Sequence, residues 1–147
     1  MFRCPATTTA TGKTDLAVYR PSSGEWKILQ SSTDFASDVT LVLGSGTDIP
    51  VAADYDGDGI TDVAVFQPST GMWIARLSSA GFAQTTLATL GANGDIPVVG
   101  DYDGDGRADL VVFHGGTWKV LLSGLNYTSG ASTSWGQGPD VPLPVRR

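Results

Sequence analysis

Short apolar runs punctuate this chain at regular intervals, each closed by a turn signal. Residues 16–19, 63–66 and 110–113 are β-branched or aromatic stretches that run into Pro-Ser or Gly-Gly. A second run follows the turn, at 26–29 and again at 118–122. A third, at 39–43 or 85–90, stops at Gly44 or Gly91, and Ile-Pro-Val begins a fourth at 49–52 and 96–99. No helical period extends over ten or more residues, so the pattern predicts an all-β chain of short strands.

The pattern is a repeat. Asp15, Asp62 and Asp109 are spaced by 47 and 47 residues, and Trp26, Trp73 and Trp118 by 47 and 45. Residues 15–51 set against 62–98 without a gap give 17 identities in 37 positions, where unrelated sequences of ordinary composition give about two or three. The third copy is two residues shorter between its Asp and its Trp, inside a turn that can absorb the loss. Four short strands in about 47 residues is the size of one β-propeller blade. An antiparallel sandwich or a β-solenoid is the alternative. The expected units are 1–47, 48–94 and 95–140, with 141–147 beginning a fourth or closing the structure.

Charge sharpens this picture. Of 15 acidic residues 14 are Asp, and eight of these crowd into residues 54–62 and 101–109. Without those eight the net charge of -6 would become +2, so the acidity belongs to two local sites. The 9 Lys and Arg form no cluster except Arg146 and Arg147, which excludes nucleic acid as a partner. No apolar run reaches the roughly 20 residues of a membrane span. The start of the chain also lacks the apolar core of a signal peptide. With Cys4 the single cysteine, neither a disulfide framework nor a Cys-rich zinc site can form.

The two acidic stretches read Asp54-Tyr55-Asp56-Gly57-Asp58-Gly59-Ile60-Thr61-Asp62 and Asp101-Tyr102-Asp103-Gly104-Asp105-Gly106-Arg107-Ala108-Asp109. Two carboxylates ~5 Å apart repel by roughly 3 kcal/mol at an effective dielectric near 20. Either some of the four protonate or a cation sits among them; a solvated Asp-Gly turn without an ion is the remaining alternative. Oxygen donors without His or Cys select Ca²⁺. An EF-hand needs a Glu at position 12 and a following helix, but position 12 is Val65 or Val112 in an expected strand. The Asp at position 9 must therefore close the site, with the backbone carbonyl of Ile60 or Arg107 beside it.

These residues resemble the FG-GAP/VCBS repeats, the blade units of integrin alpha-chain propellers and of propeller lectins. The likeness rests on Asp-Tyr-Asp-Gly-Asp-Gly-x-x-Asp before an apolar strand, with Ile-Pro-Val ahead of it. It implies propeller blades with structural Ca²⁺, about two ions per chain, in the loop joining a blade's first two strands. The ligands carried over are Asp54, Asp56, Asp58 and Asp62, then Asp101, Asp103, Asp105 and Asp109. The first unit has Thr7, Thr9 and Thr11 with Asp15 at these places, so its loop is expected to be empty.

Three blades fall short of the four to eight of a closed ring. Residues 140–145 repeat the Asp-Ile-Pro-Val lead-in of the other units, so a fourth blade starts and stops before its Asp loop. A homo-oligomer is expected, most simply a dimer closing six blades, in which residues 2–6 and 141–145 compete for one inner-strand place. The repeated Trp residues and Trp135 are expected in the core, with sugar stacking the other reading for Trp26, Trp73 and Trp118. His114, the lone histidine, has no repeated Ser or Asp to complete a triad. The expected function is a non-enzymatic binding module for a carbohydrate or protein. The alternatives are a purely structural self-assembling piece, or a propeller-scaffold hydrolase or lyase. Calcium loops favour an extracellular or cell-surface setting.

Overall fold

The computed structural model describes residues 2–3 and 15–144. Twelve strands form three antiparallel four-stranded sheets, each in simple up-and-down order. The first sheet contains β1 (Phe2–Arg3), β2 (Leu16–Arg20), β3 (Glu25–Leu29) and β4 (Asp38–Val42). The second contains β5 (Ile49–Pro50), β6 (Val63–Gln67), β7 (Met72–Leu77) and β8 (Ala83–Thr89). The third contains β9 (Ile96–Pro97), β10 (Leu110–His114), β11 (Thr117–Leu121) and β12 (Gly130–Ser134). No α-helix occurs among the described residues; a single 3-10 turn follows the third strand of each sheet, at Ser31–Thr33, Ser78–Ala80 and Ser123–Leu125. The fold is all-β and built of propeller-like blades. Residues 4–14, with Cys4, Thr7, Thr9 and Thr11, lie outside the described part.

The Ile-Pro pairs are short inner strands. Each opens its sheet: Ile49 pairs with Phe66 and Ile96 with Phe113, as Phe2 does with Tyr19. The last strands, β4 and β8, begin one and two residues earlier than the apolar pattern suggests, because pairing continues past the apolar positions to Asp38 and Ala83.

Successive side chains on a strand point to opposite faces, and the second strands show what each face meets. Val63 and Val65 of β6 pack on Ala17, Tyr19, Trp26 and Ile28 of the first blade. The other face of β6, Ala64 and Phe66, joins Trp73 and Ala75 against Leu110 and Val112 of the third. Trp26 and Trp73 are buried in these two seams, and each donates its indole N–H to a carbonyl, Leu43 at 3.1 Å and Leu90 at 3.0 Å. Edge-tilted contacts with Tyr19 and Phe66, ring centroids 4.9 and 5.1 Å apart, complete the packing.

Trp135 departs from expectation. It takes the place of Leu43 and Leu90 in the repeat, yet it is 76% exposed, and Trp118 is only partly buried. Their contacts within the blade are intact: Trp118 donates to the Trp135 carbonyl at 3.0 Å. In the first and second blades the corresponding cover comes from the blade that follows.

Every blade also brings two glycines together. A Cβ added at Gly24, Gly71 or Gly116 would lie 2.2, 2.4 or 2.6 Å from the carbonyl oxygen of Gly44, Gly91 or Gly136. All six glycines have positive φ. Here the β-hairpin turn passes over the exit of the last strand, backbone on backbone.

Candidate metal centre

The Asp loops connect the inner strand of a blade to its second strand. Their shape comes from carboxylates that accept hydrogen bonds from the loop's own amides. Asp54 takes Gly57 N at 2.6 Å and Gly59 N at 2.9 Å, Asp56 takes Asp58 N at 3.1 Å, and Asp58 takes Ile60 N at 2.7 Å. The second loop repeats the set: Asp101 with Gly104 N and Gly106 N at 2.6 and 3.1 Å, Asp103 with Asp105 N at 3.1 Å, Asp105 with Arg107 N at 2.8 Å. Gly57 and Gly59 have φ of 82° and 84°, which side-chain-bearing residues rarely adopt.

The carboxylates converge. Oxygens of Asp54, Asp56 and Asp58 lie within 4.8 Å of one another, as do those of Asp101, Asp103 and Asp109. The sets differ in their third member, Asp58 in one and Asp109 in the other. In the second loop Arg107 stands where the first has Ile60, its guanidinium 3.2 Å from Asp105 Oδ2 and donating to the Ser123 carbonyl at 3.1 Å. The Asp105 carboxyl is held below its usual range, first by the Arg107 amide, then by the Ser123 hydroxyl and the Arg107 charge.

Asp62 and Asp109 have a further task. Asp62 is fully buried and accepts Tyr55 N at 2.8 Å and Ser78 N at 2.7 Å. Asp109 does the same with Tyr102 N and Ser123 N at 2.7 and 2.8 Å. Each thereby fastens its loop to the 3-10 turn after the blade's third strand. Asp15 makes the bond to the turn in the first blade, accepting Ser31 N at 2.8 Å and Ser31 Oγ at 2.7 Å. Burial pushes the Asp62 carboxyl up to about 6, against the pull of the Ser78 and Tyr55 amides, and the Asp56 charge adds to the rise. A cation beside it would oppose that rise.

Sequence reasoning missed the serines. Ser78 Oγ donates to Asp58 at 2.8 Å and Ser79 Oγ to Asp56 at 2.6 Å; Ser123 Oγ contacts both oxygens of Asp105 at 3.0 Å. The signal was present, since Ser31, Ser78 and Ser123 follow the same steps of 47 and 45 as the tryptophans. Gly124 replaces Ser79 in the third blade, so Asp103 has no counterpart of that hydroxyl.

The loops are adjacent. Ala108 N donates to the Asp54 carbonyl at 2.7 Å, and the Tyr127 hydroxyl bridges the Ala108 and Tyr55 carbonyls at 2.8 and 3.4 Å. The model of the FG-GAP-like repeat family matches this region, from Asp54 to Val112. Residues 54–112 are similar to an FG-GAP-like repeat. The FG-GAP-like match thus spans both Asp loops and the sheet between them. No curated protein matches the chain.

The donors of both loops fit a hard divalent cation: carboxylates and carbonyls, with no His or Cys side chain in either loop. His114 lies elsewhere, its Nδ1 2.8 Å from Asp95 Oδ1, where Gln67 Nε2 meets Asp48 at 3.1 Å in the preceding blade. Gln67 and His114, at one position of the repeat, therefore tie the end of a second strand to the start of an inner strand.

Proposed function

We propose that this chain is a calcium-stabilised propeller module that binds a partner without catalysing a reaction. The observation that carries it is the convergence of three carboxylates in each of two loops already shaped by their own amides. Asp54, Asp56, Asp58 and Asp62, with the Ile60 carbonyl, would hold one ion. Asp101, Asp103, Asp105 and Asp109, with the Arg107 carbonyl, would hold the other. Bound Ca²⁺ supplies charge neutralisation and rigidity, while the partner, a carbohydrate or a protein by likeness to propeller lectins and integrin propellers, meets a blade edge or face.

Calorimetric titration with CaCl₂ should fit about two sites per chain, and EDTA should lower the Tm by ~10 °C or more. Micromolar sites in millimolar calcium contribute about 4 kcal/mol each, and 1 kcal/mol shifts a domain of this size by roughly 2–4 °C. Absence of binding heat together with an unchanged Tm would refute the reading.

Arg107→Ala separates the two loops. With the competing guanidinium gone, Asp105 is free to turn inward, and the second site should tighten ~3–10-fold while the first stays as it was. Site-resolved calcium titration by NMR of the loop amides measures both.

A further inference from the structure

Both seams inside the chain are built alike, and the outer blades each offer one half of a third. The face that Val63 and Leu110 turn toward the preceding blade is open on the first blade: Leu16, their counterpart, is 56% exposed where they are 0%. The opposite face is open on the third blade. Tyr102 is 46% exposed where its counterpart Tyr55, covered by the third blade, is 3%. Phe113, Trp118 and Trp135 border a groove of roughly 300 Å³ there, beside Val141 and Leu143. Lys27 is no obstacle on the open face of the first blade, because Lys119 takes the same register position in an occupied seam.

The hydrogen bonds around the inner strands say which surfaces meet. Asp48 and Asp95 each precede an inner strand and accept a backbone amide, Ser45 N at 2.9 Å and Ala92 N at 3.0 Å. Each also binds the residue at the end of the second strand, Gln67 or His114. Asp140 builds the same turn, accepting Gln137 N at 2.9 Å. Among the described residues no side chain reaches it, and Val141 and Pro142 after it form no strand. Arg20 holds the place of Gln67 and His114, and among the described residues it pairs with Glu25, within its own hairpin. One end thus presents an inner strand with a carboxylate, and the other a second strand with a guanidinium.

We propose that a second copy of this chain docks head to tail across these faces. Val141 and Pro142 of one copy pair with Tyr19 and Val18 of the next, and Asp140 meets Arg20. In that register they take the place held by Phe2 and Arg3, which must move aside. Two copies joined in this way make a ring of six blades, within the four to eight of closed propellers. Both seams of the ring are then identical.

Light scattering at tens of micromolar should give twice the 15.3 kDa chain mass. Arg20→Glu or Asp140→Arg alone should raise the dimer dissociation constant roughly 100-fold, since each places like charges at both seams. The two reversals combined should bring it back to within about tenfold of the parent. Removing residues 1–6 should leave the dimer in place, because residues 141–142 occupy the strand position. A monomer at every concentration, as expected if a further blade of a longer polypeptide covers these faces, overturns the proposal. So does a dimer indifferent to both single reversals, or one lost with residues 1–6. Far-UV circular dichroism of each variant confirms that the blades are folded.

Discussion

Trp73→Ala is expected to destabilise the chain by about 3–5 kcal/mol, the cost of emptying a fully packed aromatic site. Trp73 is 1% exposed and lies between the second and third blades against Phe66, with its indole N–H on the Leu90 carbonyl. The change would remove a large apolar contact and leave a part-buried carbonyl without its donor. Trp118→Ala provides the contrast. Its ring lies tilted against Phe113 at a centroid distance of 5.0 Å but is only partly buried, so the cost to a single chain should be about half as large. If two copies associate as proposed, the Trp118 effect should grow with protein concentration and the Trp73 effect should not. Urea unfolding at two concentrations well apart distinguishes them; equal costs for both substitutions in dilute protein would contradict the open third face.

The second large effect concerns the aspartate that ties each loop to its 3-10 turn. Asp62→Ala should cost about 3 kcal/mol without calcium, because the amides of Tyr55 and Ser78 lose their acceptor in a buried place. In calcium the loss should be larger, since the variant also lacks a carboxylate of the proposed site. Asp15→Ala removes the same tie from the first blade, where Ser31 supplies both hydrogen bonds. It should cost a similar amount with and without calcium. Denaturation of both variants in EDTA and in CaCl₂ gives the four numbers. A calcium-dependent penalty at Asp15 would show that the first loop, despite its threonines, takes up an ion.

The repeat was legible because it rests on identities at fixed steps, and the strands because turn residues bracket β-branched and aromatic runs. The Asp loops were legible through charge alone: four carboxylates in nine residues leave few arrangements open. Two things were harder to see. The serine ties repeat at the same steps as the tryptophans, but they sit in three-residue turns and matter through one amide and one hydroxyl rather than through hydrophobicity. The exposure of Trp135 was also hidden, because a repeat position predicts an environment only when a neighbour follows. Leu43 and Trp135 hold the same place in their blades, yet Leu43 is buried by the second blade while Trp135 faces open solvent. Gln67 and His114 differ in chemistry at one position of the repeat, yet both reach the Asp that precedes the inner strand, a shared contact that variation between units conceals.

The paired glycines have a consequence for how this sequence can drift. At Gly24, Gly71 and Gly116 any side chain would collide with a carbonyl that belongs to the main chain and cannot rotate away. A saturation library should therefore show intolerant codons at these three positions, set 47 and then 45 apart. Gly59, Gly81 and Gly104, whose surroundings are open, should accept replacements at the smaller cost of an unfavourable backbone angle.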